Sequence, residues 1–406
     1  ASMVVEAANT QESMCYDGTT STVVLAGQLL SNSDGLFEKG IHPNIICKGY
    51  RQASRWATDY LENLGIDSKS HLVEVAKTAI TGKSAEDYIE ILSDICARAA
   101  EAATPDNIKL IGRPGDPNDA ELIEGVVLLK QNSYPTEETE FSGKVLLLDE
   151  ELGPPQANIS LADPTRIAQV AQVQSAYMEE RLAAIDDMGI KIVLCQKGMD
   201  SKAIQHFRRK GIMAVRNIRK SDMHRVAKAT QGEVVTDLAD IMEEELGEGV
   251  CSIRGQDGPN PYIQVVGGNT KVASIILPAQ TEQTAAEFSR AMDDAIGVAY
   301  ITAKSPKTVP GAGSIQARMA DAIKKSPPME SSRADLAKLA FAEALMVIPK
   351  TLAETASMDI IDAIFDLSLN PQLGVNPLAE KIEDMTHVQE PLTLVLTSMN
   401  TATENA

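Results

Sequence analysis

IKIVLCQKGMDSKAIQHFRRKGIMAVRNIRKSDMHRVAKATQG, residues 190–232, changes character three times. IKIVLCQKG reads as a strand, DSKAIQHFRRKG as a helix, IMAVRNI as a second strand and SDMHRVAKATQG as a second helix. EVVTDLADI, residues 233–241, adds one more strand. Strands alternating with helices predict an α/β domain with a largely parallel sheet.

Upstream, GKVLLLDEEL (143–152) is an apolar run bounded by turn signals, a buried strand. ADPTRIAQVAQVQSAYMEERLAAIDDMG (162–189) is one long helix, with Asp163 as cap, Pro164 in the first turn, and Ile167, Val170, Tyr177, Leu182 and Ile185 as an apolar stripe. IKLIGRPGDPNDAELIEGVVLLK (108–130) mixes strand and turn, and KVASIILPAQ (271–280) is a further strand. Outside this block the chain is helical on both sides. Before it come MVVEAANTQESM, STVVLAGQLLSNSDGLFEKG, HPNIICKGYRQASRWATDYLENLG, SHLVEVAKTAIT and SAEDYIEILSDICARAAEAA, the last opening on Ser84 as cap. The order helical, mixed, helical is that of one domain inserted into another.

At 406 residues the chain has room for two or three domains, and 44% apolar residues supply their cores. A net charge of −20 without a basic block argues against nucleic acid and against anionic membranes. No apolar run is long enough to span a bilayer. Five dispersed cysteines suit a reducing cytoplasm, and five histidines without HExxH spacing give no zinc site. The chain begins at Ala1, so a preceding segment is compatible with the sequence.

Two stretches carry candidate chemistry. CYDGTTSTVVLAGQLL, residues 15–30, crowds Thr19, Thr20 and Ser21 onto a helix start behind Asp17-Gly18. Those side chains could simply cap the helix. The same amides and dipole also attract phosphate, with an acid beside them for a metal. EFSRAMDDAIGVAYITAKSPKTVPGAGS, residues 287–314, places Asp293 and Asp294 in mid-helix, about 100° apart, so that only one can face a given site. Gly311 and Gly313 then let backbone approach a ligand closely. Neither a Walker A loop nor a dinucleotide fingerprint is present, and no nucleophile elbow occurs in the α/β segment.

Taken together these segments resemble the group II chaperonins, the thermosome-like archaeal and eukaryotic cytosolic type. EAANTQESMCYDGTTSTVVLAGQLL (6–30) is similar to the family's GDGTT segment, SRAMDDAIGVAY (289–300) to its DDA helix, and TVPGAGS (308–314) to its VPGGG loop. Residues 193–232 resemble its substrate-binding domain, and AFAEALMVIPKTLAETASMDIIDAI (340–364) its C-terminal signature helices. The bacterial group III chaperonins share this pattern. The resemblance implies a multi-domain fold, all-α and α/β. A helical equatorial domain would comprise 1–74 and 306–406, a small intermediate hinge domain 75–121 and 275–305, and an α/β apical domain 122–274. It implies two stacked, eight-membered rings of identical or paralogous subunits. The helical protrusion around ANISLADPTRIAQVAQV (157–173) would close each cavity as a built-in lid, so no separate lid protein is needed.

The resemblance further implies Mg²⁺ and ATP as cofactors, unfolded or partly folded proteins as clients, and a cytoplasmic location. By position, Asp17 would coordinate Mg²⁺ on the phosphates, and Gly18, Thr19, Thr20 and Ser21 would cradle them. Asp294 would orient or activate the attacking water. Gly311 and Gly313 would approach the sugar and base, Asn376 and Glu390 would contact adenine and ribose, and Lys83 would sense the γ-phosphate. Three departures stand out. Tyr16 replaces the first glycine of GDGTT, and tyrosine takes glycine's backbone angles less easily. Ala312 replaces the middle glycine of the triplet, with Gln316 where the family has Glu. The LGP-type phosphate loop with a second metal-linked Asp is absent from these 406 residues; its place would lie before Ala1, and a chain truly without it is expected not to hydrolyse ATP. The alternative is a structural ring or passive holdase that binds unfolded chains without significant turnover.

Overall fold

Helix Thr19–Glu38 buries Leu25, Leu29 and Leu36, and helix Pro43–Leu64 buries Ile46, Tyr50, Ala53, Ala57 and Leu61. Spacings of three, four and seven put each set on one stripe, which helices can hide only against one another. In the computed structural model, which describes residues 2–67, 71–154, 164–255, 260–268 and 271–406, they do so with Phe341, Leu345, Val395 and Met399. Phe341 sets its ring edge-on to Tyr50 at 5.7 Å, and the Tyr50 hydroxyl donates to the Leu29 carbonyl, so the one polar atom of that contact is satisfied. Pro43 stands in the first turn of its helix, and the Asn44 N–H donates to His42 Nδ1 at 3.3 Å.

The chain divides into two compact units. The first comprises Ala1–Glu101, Pro114–Asp119 and Pro278–Ala406, and the second Ala102–Arg113 and Ala120–Leu277. The first unit is mostly helical, but short strands stitch it where the sequence indicates only helix. Ile66–Asp67, Lys307–Pro310 and Gln389–Pro391 form one antiparallel sheet, pairing Val309 with Glu390 and Pro310 with Gln389. Gly374–Asn376 and Lys381–Glu383 form a hairpin.

The second unit is the α/β block. Its main sheet runs Val126–Leu128, Tyr262–Gly267, Gly247–Arg254, Glu140–Leu148, Ile190–Cys195, Met213–Val215. Val145 and Leu147 pack with the helix Lys220–Thr230, while Leu146 and Leu148 pack on the other face with Phe207 and Ile185. That alternation is the period-two pleat of a strand covered on both sides.

Three expectations are corrected. The sheet is mixed: Glu140–Leu148, Ile190–Cys195 and Met213–Val215 are parallel, but the other half is antiparallel, because consecutive strands Gly247–Arg254 and Tyr262–Gly267 pair directly. EVVTDLADI contributes only Val234–Val235, since Asp237 accepts from the Ala239 amide and starts a 3-10 turn instead. Ser84 caps nothing; a 3-10 turn Glu86–Tyr88 leads into helix Ile89–Ala102, with the Glu86 carboxylate taking the Gly82 amide. The long helix is present as Pro164–Asp187, and it buries Leu182 and Ile185. Its expected cap Asp163, and residues 157–163 of the expected protrusion, lie outside the described residues.

Candidate functional site

Helix Ser2–Cys15 and helix Thr19–Glu38 are joined by a three-residue turn in which Tyr16 and Gly18 take positive φ, 64° and 83°. Asp17 sits between them. Its Oδ1 accepts the Gly18 N–H at 2.7 Å, and its carbonyl accepts from Gln11 Nε2 at 2.9 Å. The turn is pinned from below by Thr22, whose hydroxyl reaches the Gly18 carbonyl and Ser398 Oγ, both at 2.9 Å. Gly18 is the N-cap, and no side chain caps this helix. The capping reading of Thr19, Thr20 and Ser21 is therefore overturned, and the first-turn amides have no side-chain oxygen of their own.

A second helix start repeats this device. Gly313, φ 75°, is the N-cap of helix Ser314–Lys325, again without a side-chain cap. Ser21, Gly313, Gln316 and Glu390 line one cavity of about 140 Å³. Two helix N-termini that no side chain caps are a natural anion site. Gln316 is buried, and its Oε1 has no protein partner, so an acceptor waits in the cavity wall for a ligand donor. Gly311 makes room for Glu390, because a Cβ there would fall 2.7 Å from Glu390 Oε1. The small sheet carries Glu390 to this point, which the sequence alone conceals. Ala312 holds φ 55° in the same turn, and its carbonyl accepts the Val375 amide. Tyr16 and Ala312 both hold left-handed backbone, the conformation that favours glycine. Asn376 lies beside that strand end, but its amide is spent within the hairpin: Oδ1 accepts from Leu378 and Ala379, and Nδ2 donates to Glu383.

Lys83 and Asp294, 211 residues apart in the chain, close the other side. Lys83 Nζ is 2.5 Å from Asp294 Oδ2 and 3.8 Å from Asp17 Oδ2, one ammonium between two carboxylates. Helix Glu282–Lys304 turns Asp294 to the site and Asp293 elsewhere. Burial raises the Asp294 carboxyl, Lys83 opposes this, and the Asp17 charge adds to it. Burial raises Asp293 as well, helped by Asp294. Glu12 joins the same field: desolvation, then Asp294 and Asp17, raise it. One cation among this many acids leaves a net negative site that favours a further cation. Among the described residues no group of three or more His, Cys, Asp or Glu could hold a metal. Mg²⁺ is commonly held by one or two carboxylates, with water and substrate phosphate completing its shell. A single carboxylate such as Asp17, beside an uncapped helix start, fits the needs of such an ion.

Glu390 is the most displaced acid of the site. Burial pushes it up to about 7, and the Asp17 charge adds to the effect. Its folded form holds a proton that the unfolded chain releases near pH 4.5, so stability is full below that pH and falls as pH rises toward 7. Thermal unfolding of the ligand-free protein should show Tm decreasing between pH 5 and 7.5. Glu390→Gln should flatten that slope; an unchanged slope would assign it to other groups, of which Glu12, Asp293 and Asp294 have the same sign.

Every expected site residue therefore lies in the first unit, and Asp17, Lys83 and Asp294 meet directly. Gln11 and Glu12 were missed; their only signal is their place six and five residues before Asp17.

The whole chain, residues 1–406, matches the TCP-1/cpn60 chaperonin family. It is 34% identical over 427 residues to thermosome subunit beta of Methanothermobacter thermautotrophicus, covering 100% of this chain and 79% of that protein. It is also 34% identical over 434 residues to thermosome subunit beta of Archaeoglobus fulgidus, covering 100% of this chain and 80% of that one. Among solved structures it resembles the open-state monomer of a group II chaperonin from Methanococcoides burtonii, with TM-score 0.71 and 31% identity over 96% of this chain and 98% of that one. No helix among the described residues is long and apolar enough to cross a membrane.

Proposed function

The chain belongs to the TCP-1/cpn60 chaperonin family, and from that we propose that Asp17, Lys83 and Asp294 are the hydrolytic centre of a ring-forming, ATP-dependent group II chaperonin subunit. One observation carries the assignment: Lys83 brings together, within 3.8 Å, two acids from distant segments beside a helix start that no side chain caps.

In this reading Gly18, Thr19, Thr20 and Ser21 cradle the phosphates, the latter three through their amides and Gly18 by its close approach, and Gly311 and Gly313 flank the nucleoside with Glu390. Asn376 contributes there once its hairpin partners yield. Mg²⁺ held by Asp17 would neutralise charge building on the transferred phosphoryl group. Asp294 holds and orients the attacking water. Its raised affinity for a proton, from burial, suits that task. Lys83 ties the two carboxylates together without nucleotide and turns to the γ-phosphate when it arrives.

We assign the equatorial domain to 1–74 and 306–406, the intermediate domain to 75–121 and 275–305, and the apical domain to 122–274. Asp294 then belongs to a hinge segment and Asp17 to a fixed one, so hydrolysis requires closure and is coupled to it. Unfolded clients, eight-membered double rings, closure by the chain's own protrusion and a cytoplasmic location complete the proposal. Steady-state phosphate release with Mg-ATP tests it. Turnover that rises with protein concentration and needs Mg²⁺ is expected; nucleotide binding with negligible release would return the passive holdase reading.

A further inference from the structure

Two costly choices in this chain explain one another. Tyr16 holds a left-handed backbone, φ 64°, which side chains with a Cβ rarely adopt. Gly297 stands deep in the interior of helix Glu282–Lys304, where glycine is the poorest residue after proline. The two touch. A Cβ placed on Gly297 would lie 2.1 Å from Tyr16 Cγ, 2.4 Å from its Cβ and 2.6 Å from its Cδ1, far inside van der Waals contact. The tyrosine ring therefore rests on bare helix backbone, and only glycine leaves it room.

The contact adjoins both acids of the site. Tyr16 directly precedes Asp17. Gly297 follows Asp294 by three residues, which on a helix is the same face one turn on. Asp17 and Asp294 share Lys83 at 3.8 and 2.5 Å. A shift of the helix over the ring moves Asp294 relative to Asp17 and the turn that holds it.

We propose that Tyr16 and Gly297 are a matched pair of positioning residues, in which the seated ring sets how closely the Asp294 helix approaches the Asp17 turn. The pair rests on the assignment of Asp17 and Asp294 to ATP hydrolysis. It also gives the substitution at position 16 a purpose, since the wider side chain is accommodated on the facing helix and not in the turn.

The test is a four-member cycle on the full chain: parent, Gly297→Ala, Tyr16→Gly and the double variant. Each is assayed for phosphate release over a range of Mg-ATP concentrations and for thermal unfolding. Gly297→Ala should lower kcat at least tenfold with KM for ATP changed by less than about threefold, because the nucleotide cradle is untouched. In the Tyr16→Gly background the added methyl meets no ring, so the double variant should match Tyr16→Gly to within about threefold. A general structural role would lower Tm and activity in Gly297→Ala without recovery of either in the double variant. An unchanged kcat in Gly297→Ala, or losses that multiply in the double variant, would overturn the pair. Absence of turnover in the parent would sink the ATPase assignment by itself; the same cycle read in Tm, with Gly297→Ala lower and the double variant recovered, still decides whether the two residues are matched.

Discussion

Asp294→Ala lowers ATP turnover by about 10²–10³-fold, the range for losing a positioned proton acceptor, while nucleotide affinity changes only a few-fold. The asymmetry follows from geometry. Asp294 reaches the site only through Lys83, 2.5 Å away, and contributes nothing to the two open helix starts or to the cavity beside Glu390. Removing it also frees Lys83 to pair with Asp17 alone, which keeps the site closed without nucleotide. Phosphate release and binding of a fluorescent ATP analogue, measured on the same preparation, check the split. Equal loss of both would mean that Asp294 holds the nucleotide, and the division of labour between the two acids would have to be redrawn.

The second large effect is expected at Gly313→Val. Gly313 has φ 75°, and a Cβ there would meet Pro349 Cβ at 2.7 Å and Pro349 Cα at 2.9 Å. The obstacle is backbone and a buried ring, so no rotamer change relieves it. Left-handed strain of about 1–2 kcal/mol and overpacking of about 1–3 kcal/mol combine, and valine, branched at Cβ, suffers most. Loss of roughly 2–5 kcal/mol from the first unit is expected, together with loss of nucleotide binding, because the turn supplies the amides of the second helix start. Gly40→Val is the matched control. It has the same φ of 75° but nothing within 4 Å, so it feels strain without collision and lies outside the site. Equal effects at the two positions would remove packing from the explanation.

The alternation in residues 190–232 and the helices around it were legible because each rests on a local period. The partners of Asp17 were not legible from period or composition: Lys83 and Asp294 acquired roles only through family resemblance, and their meeting depends on packing across 211 residues. The small sheet escaped notice because a strand of two or three residues, such as Ile66–Asp67, has no period to read. The mixed character of the main sheet was missed for a related reason. A run of β-branched residues states that a strand is buried, but not its direction, and Gly247–Arg254 pairs antiparallel with the next strand, Tyr262–Gly267. The capping error is instructive too. Asp17 spends its Oδ1 on its immediate neighbour, Gly18, and Thr22 bonds backward to a carbonyl, so the hydroxyl-rich stretch caps nothing.

The turn around Gly18 is fastened by Thr22 to Ser398, 376 residues later, and Glu390 arrives on the same late segment. During synthesis that fastening cannot exist until the ribosome has made nearly all of the chain described here. At about 5–20 residues per second, the early helices wait roughly 20–75 s for it, while the α/β unit, Ala102–Arg113 and Ala120–Leu277, is made and can fold within that interval. On the proposed assignment, a nascent subunit therefore folds its α/β unit before the turn that would receive nucleotide is fastened.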